Sequence, residues 1–134
     1  MEIKQSTLKN GLRIITAERP QIETVSLGVW VNTGAAAESE ADNGISHFIE
    51  HMVFKGTKKR NSLQISEDIE NVGGATNAYT SRHFTCFYAK MLKDDLELAT
   101  DVICDFITDP TFDAAEMSKE KEVVVQEIKQ SADA

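Results

Sequence analysis

Alternation and helical spacing divide the chain into a succession of short elements. Val25, Leu27, Val29 and Val31 alternate with Ser26, Gly28, Trp30 and Asn32, a period of two that marks a strand with one apolar face. Before it, Ile3 to Leu8 and Leu12 to Thr16 read as two strands, joined by the two-residue hairpin signal Asn10-Gly11. Around Ser46 to Lys55 the period lengthens. Ile45, Phe48, Ile49, Met52 and Val53 recur at three- and four-residue steps, which predicts a helix. A second helix is expected after Ser62, with Ile65, Ile69 and Val72 on one face and Gly73-Gly74 as its stop. Ala75 to Thr80 and Phe84 to Met91 are rich in Thr, Tyr and Phe and are separated only by Ser81, Arg82 and His83, so a further hairpin should follow. Leu92, Leu96, Ala99, Ile103 and Phe106 trace a third helix that stops before Asp109-Pro110. The last element is again helical: Asp113 and Glu116 fit a capping box, and Met117, Val124 and Ile128 form its core-facing stripe.

Strands mixed with pairs of helices predict an α+β fold, with helices packed on a largely antiparallel sheet. At 134 residues and 41% hydrophobic, the chain can bury one sizeable core, so a single domain is expected. Charged residues make up 27% and no long apolar run interrupts them, which argues against disorder and against a membrane span. A formal net charge of -8 argues against a nucleic-acid partner, because phosphate binding needs Lys and Arg concentrated on one face. The one cationic cluster, Lys55, Lys58, Lys59 and Arg60, reads as a solvated loop after a helix, with contact to an acidic substrate as the minority reading. Cys86 and Cys104 lack any ligand spacing and are expected as buried, reduced thiols. The opening residues have no uninterrupted apolar stretch of the secretory kind, which fits a cytoplasmic chain, in bacterial cytosol or organelle matrix, or a mature form already processed.

The candidate chemistry lies in His47-Phe48-Ile49-Glu50-His51, which uses two of the chain's three histidines. At about 100° per residue, His47, Glu50 and His51 share one arc of the helix, while Ile45, Phe48, Ile49 and Met52 lie on the other side. A histidine serving only to fill a core should sit on the apolar side, and both of these project away from it. Imidazoles one helical turn apart can grip a single Zn²⁺. A catalytic zinc takes three protein ligands and keeps a fourth position for water, so a third donor is needed elsewhere, and glutamate is the most plausible type. The final helix offers Glu120 and Glu127, which bracket Val123 and Val124. Spacing does not choose between these two carboxylates, and both could equally be solvated helix charges.

These residues resemble the pitrilysin, insulinase and mitochondrial processing peptidase family of zinc metallopeptidases, whose hallmark is the inverted HxxEH motif. The similarity extends over nearly the whole chain. NGISHFIEHMVFKGT is similar to the family's helix and following loop, ENVGGATNAYTSR to its active-site strand, and EMSKEKEVVVQEI to a helix bearing a glutamate pair. Two departures are Gly34-Ala35-Ala36-Ala37-Glu38, where relatives often carry an arginine, and His83 in place of an acidic residue. The resemblance implies a zinc-dependent endopeptidase acting on extended peptides or presequences. It places His47, His51 and Glu127 as metal ligands, Glu50 as the catalytic base and Glu120 as the supporting member of the catalytic set. Asn77 and Ala78 would bind an extended peptide as an added strand. Family enzymes are much longer, so residues 1–134 are expected to be the amino-terminal part of the catalytic domain, weakly active or inactive alone. Self-association of such a fragment through exposed apolar surface is a further expectation, as is a dimeric full-length protein.

The sequence also admits two other readings. A non-catalytic subunit of the same family would usually lack the intact motif. A structural zinc or interaction module would need a fourth protein ligand, for which His83 is the spare histidine.

Overall fold

The structure is a computed structural model that describes residues 1–132. Its strands are β1 (Glu2–Thr7), β2 (Arg13–Glu18), β3 (Thr24–Val31), β4 (Ala75–Thr80) and β5 (Thr85–Leu92). Its helices are α1 (Ile45–Val53), α2 (Ser62–Glu70), α3 (Leu96–Thr108) and α4 (Ala114–Ala132), with single 3₁₀ turns between some of them. The class is α+β, as the sequence pattern predicts.

Strands β1 and β2 form a separate hairpin, exposed at every position. Its turn differs from the two-residue loop expected at Asn10-Gly11. Leu8 N–H donates to Leu12 O at 2.8 Å and Gly11 N–H to Leu8 O at 2.9 Å, which closes a three-residue loop with Gly11 at φ +89. A glycine suits that left-handed position, the usual third residue of such loops.

The main sheet has the order β3-β5-β4 and is antiparallel throughout. Its register puts Val25, Leu27, Val29 and Val31 opposite Met91, Ala89, Phe87 and Thr85, so the alternating apolar residues of β3 share a face with those of β5. Against that face pack Ile65 and Ile69 of α2 and Ala99, Val102, Ile103 and Phe106 of α3, all fully buried. The α2 start is fixed by a reciprocal capping box between Asn61 and Gln64.

Several helix expectations shift. Leu92 closes β5 and is 53% exposed, because the strand runs on to its pairing with Thr24 before a 3₁₀ turn opens α3. At the start of α4, Asp113 Oδ1 accepts from the N–H groups of Ala115 and Glu116 at 3.0 Å, while the Glu116 side chain turns to Lys119 Nζ at 2.6 Å, so only half of the capping box forms. Of the α4 stripe, Val124 is buried but Ile128 is 55% exposed. Cys86 is buried and Cys104 is exposed, both with free thiols; α3 turns Cys104 away from the sheet, against the expectation that both are buried.

In the cationic cluster Lys58 and Lys59 are exposed, as the solvated reading expects, while Lys55 is partly buried and Arg60 departs from that reading outright. Arg60 is buried, and its guanidinium donates from Nε to Asp68 at 2.7 Å, from Nη1 to Asp105 at 2.8 Å and from Nη2 to Asp101 at 2.5 Å. Thr57 Oγ1 joins Asp105 at 2.8 Å and also receives the Arg60 N–H. The loop after α1 is therefore a clamp that ties α1 to α2 and α3. Burial opposes the arginine's charge, yet its three carboxylates more than offset that and hold its pKa above the ordinary value. Hydrogen bonds from Lys59 and then Arg60 hold the Asp101 carboxyl below the usual carboxylate range.

Arg60→Met should lower folding stability by about 3 kcal/mol, measured by urea unfolding, because it leaves the partly buried Asp105 carboxylate without its counter-charge, with only the Thr57 hydroxyl as donor. The depressed Asp101 carboxyl contributes stability above its unfolded-state pKa and loses it as pH falls through the folded value. A stability gap between the wild type and Asp101→Asn is therefore expected at pH 7, and thermal melts should show it closing below about pH 4.

Candidate metal centre

Helix α1 carries the HxxEH motif, and both of its ends are fixed by distant residues. At the start, Gly44 takes φ +92 and offers no side-chain cap. Instead the Glu38 carboxylate accepts from Gly44 N–H at 2.7 Å and from Ser46 N–H at 2.8 Å. Those bonds satisfy amides that a helix start leaves unpaired, and they hold the Glu38 pKa below its ordinary value. At the far end, Phe54 packs against Phe106 at a centroid distance of 4.8 Å, the rings tilted by 42°, and meets Phe87 at 6.5 Å, which roots the helix in the core. The segment before α1 docks just as closely: a Cβ on Gly34 would lie 2.3 Å from Ser81 O, so only glycine allows that approach to the β4–β5 turn.

The face opposite the motif is less enclosed than the helical spacing suggests. Met52 and Val53 are buried, but Ile45 and Ile49 are 43% and 41% exposed: α1 packs against α4 and the edge strand β4, and neither covers these two isoleucines.

The α1–α4 contact brings three donors together. His47 Nε2 and His51 Nε2 are 3.0 Å apart, and Glu127 Oε2 lies 3.6 Å from the first and 3.4 Å from the second. Donor atoms around a tetrahedral zinc, each at about 2.0–2.1 Å from the ion, stand about 3.3 Å apart. The observed triangle brackets that length, so the set could hold such an ion. His51 uses its other nitrogen: Nδ1 meets Glu120 Oε1 at 2.8 Å. A donor bond there leaves the lone pair on Nε2, facing the triangle. Glu120 is 5% exposed, and its second oxygen receives Lys55 Nζ at 2.6 Å. Burial opposes its charge, but the bonds from Lys55 and His51 prevail and hold its pKa below the ordinary value.

Glu50 lies on the side of α1 that faces the sheet edge, where its Oε2 accepts from Thr80 Oγ1 at 2.5 Å. Its carboxylate is directed to β4 and stands outside the donor triangle. Strand β4 is an edge strand, and the Ala78 N–H is taken by the Asn77 side-chain oxygen at 2.8 Å instead of by a neighbouring strand. His83 is exposed in the β4–β5 turn and is not among the grouped donors of the described residues. Glu38, Lys55 and Thr80 were not singled out as site-shaping residues by sequence reasoning. Glu38 reaches forward six and eight positions, beyond any local capping pattern, and Thr80 acts across 30 positions. Lys55 sits four residues after His51, a helical spacing that could have flagged it.

An α+β domain presenting an HxxEH helix against a glutamate-bearing helix defines a class of zinc-peptidase-like folds. Comparison with known proteins makes this specific. The model of the insulinase family (peptidase family M16) matches residues 13–134, and the chain belongs to that family. It is 46% identical over 132 residues to the uncharacterized zinc protease YmxG of Bacillus subtilis, covering 98% of this chain and 32% of that protein. It is 42% identical over 129 residues to the mitochondrial-processing peptidase subunit beta of Rattus norvegicus, covering 96% of this chain and 26% of that one. A solved protease from Helicobacter pylori superposes with a TM-score of 0.90 at 25% identity, over 94% of this chain and 30% of that chain. The chain thus spans about a third or less of the length of these relatives. No helix among the described residues is long and apolar enough to cross a membrane.

Glu38→Ala should cost about 1 kcal/mol of stability in chemical denaturation, the usual worth of a helix-start cap, while Glu38→Gln should lose only part of it.

Proposed function

We propose that this chain carries the zinc-binding part of the active site of a metalloendopeptidase and is the amino-terminal part of that enzyme's catalytic domain. The convergence of His47, His51 and Glu127, from two helices, on a triangle of zinc dimensions carries the reading. Names of the matched relatives support it: zinc protease, mitochondrial-processing peptidase and protease.

In this reading His47 Nε2, His51 Nε2 and a Glu127 oxygen hold the ion. Bound there, zinc supplies a water of lowered pKa and polarises a carbonyl oxygen. Glu50, on the same helical arc but outside the ligand set, is the general base that accepts the water's proton and passes it to the leaving amine. Thr80 keeps the Glu50 carboxylate turned to the edge strand. Glu120 acts through His51 by fixing its tautomer and ring orientation, which makes it a positioning residue. An extended peptide, including a presequence, adds as a strand along the open edge of β4, with Asn77 releasing the Ala78 N–H to pair with it. Such pairing puts alternate peptide side chains on the α1 side of the sheet, beside Glu50. The intact donor set and Glu50 favour this over a non-catalytic subunit, and the position of His83 disfavours a closed structural site. The exposed side chains of Ile3, Ile15 and Trp30 support self-association of the chain when isolated.

Metal analysis should find one zinc per chain, removed by chelation and lost in His47→Ala. In the full-length enzyme, Glu50→Gln should keep that zinc while kcat falls by about a thousandfold or more. Loss of metal and activity together in Glu50→Gln would contradict the assignment of Glu50 as base.

A further inference from the structure

Glu120 is a buried carboxylate with two partners, one in the last turn of α1 and one just beyond it. His51 takes one oxygen at 2.8 Å; Lys55, four residues on, takes the other at 2.6 Å. Four positions separate the two donors, and one carboxylate oxygen serves each, so Glu120 bridges them. Lys55 follows the last turn of α1, and its N–H closes on Met52 O at 3.0 Å, so its backbone is held as firmly as its ammonium. Every buried side-chain polar atom among the described residues has a partner. Without Lys55, one oxygen of a carboxylate that is 5% exposed would have no hydrogen-bond donor. The carboxylate would then be free to turn toward solvent and release the His51 ring.

We propose that Lys55 is a positioning residue of the metal centre: by occupying Glu120 Oε2 it locks the carboxylate that orients His51, so metal affinity depends on a lysine two hydrogen bonds removed from the ligating histidine. The inference rests on the zinc reading above. It makes a prediction of unusual sign. By bare Coulomb repulsion, a cation near a divalent ion weakens its binding, and deleting the cation should tighten it. Positioning demands the reverse, because outer-shell partners of a ligating histidine typically change metal affinity by tenfold or more.

The experiment is a zinc titration of the folded chain against a chromophoric chelator, with the wild type, Lys55→Met and Lys55→Arg. Lys55→Met should bind zinc about tenfold more weakly. Lys55→Arg, which restores a cationic donor to Glu120, should recover most of that loss. Circular dichroism of the metal-free variants reports whether each is folded at the titration temperature, and Lys55→Ala replaces Lys55→Met if the latter is not. Unchanged or tighter binding in Lys55→Met, beside a wild type whose zinc depends on His47 and His51, would overturn the role of Lys55 alone. A wild type that binds no zinc, or whose binding survives loss of both histidines, would overturn the zinc reading and this inference with it.

Discussion

The site depends on one contact, the packing of α1 against α4. His51 and Glu120 are 69 positions apart in the chain, and neither helix alone supplies a competent set of donors. The pair of imidazoles comes free with helical geometry, since residues four apart point the same way. The carboxylates do not: Glu127 and Glu120 reach α1 only because α4 lies alongside it, joined through buried Val124. Seven residues, nearly two helical turns, separate the two glutamates, which lets one face the triangle while the other takes the back of His51.

Everything around that contact restrains α1. Glu38 fixes its start, the Phe54–Phe106–Phe87 cluster fixes its end, and the Arg60 clamp fixes the loop that follows. The cost is a concentration of charge in a small domain, managed by pairing. Arg60 has three carboxylates, and Glu120 has an ammonium and an imidazole. Such pairs are expensive to break from one side, which favours a fixed geometry over a malleable one. A metal site benefits from that stiffness, because donors held at the right spacing need little rearrangement on binding.

Much of this was legible in the sequence. Alternation in β3 and helical spacing in α1 to α3 reported that these elements exist, though Leu92 and Val72 fall outside the helices they were assigned to, and the HFIEH pattern reported a polar helix face because its two histidines lie away from Met52 and Val53. What the sequence could not report were features set by partners distant in the chain. Local composition made Lys55, Lys58, Lys59 and Arg60 look like a solvated loop, which holds for Lys58 and Lys59, whereas Arg60 is buried because Asp68, Asp101 and Asp105 converge on it from two helices. Periodicity made Ile45, Ile49 and Ile128 look like core, yet a helix buries only the part of its apolar face that another element covers. The choice between Glu120 and Glu127 was likewise closed to spacing, and in the structure their surroundings differ sharply: one is 5% exposed against His51 Nδ1, the other open beside both Nε2 atoms.

X-ray absorption at the zinc edge of the metal-loaded chain tests the central claim most directly. The account predicts two imidazole nitrogens at about 2.0–2.1 Å and light oxygen donors at about 2.0–2.2 Å, with no sulfur. A sulfur shell near about 2.3 Å, or a third imidazole, would place the metal on Cys104 or His83 and contradict it.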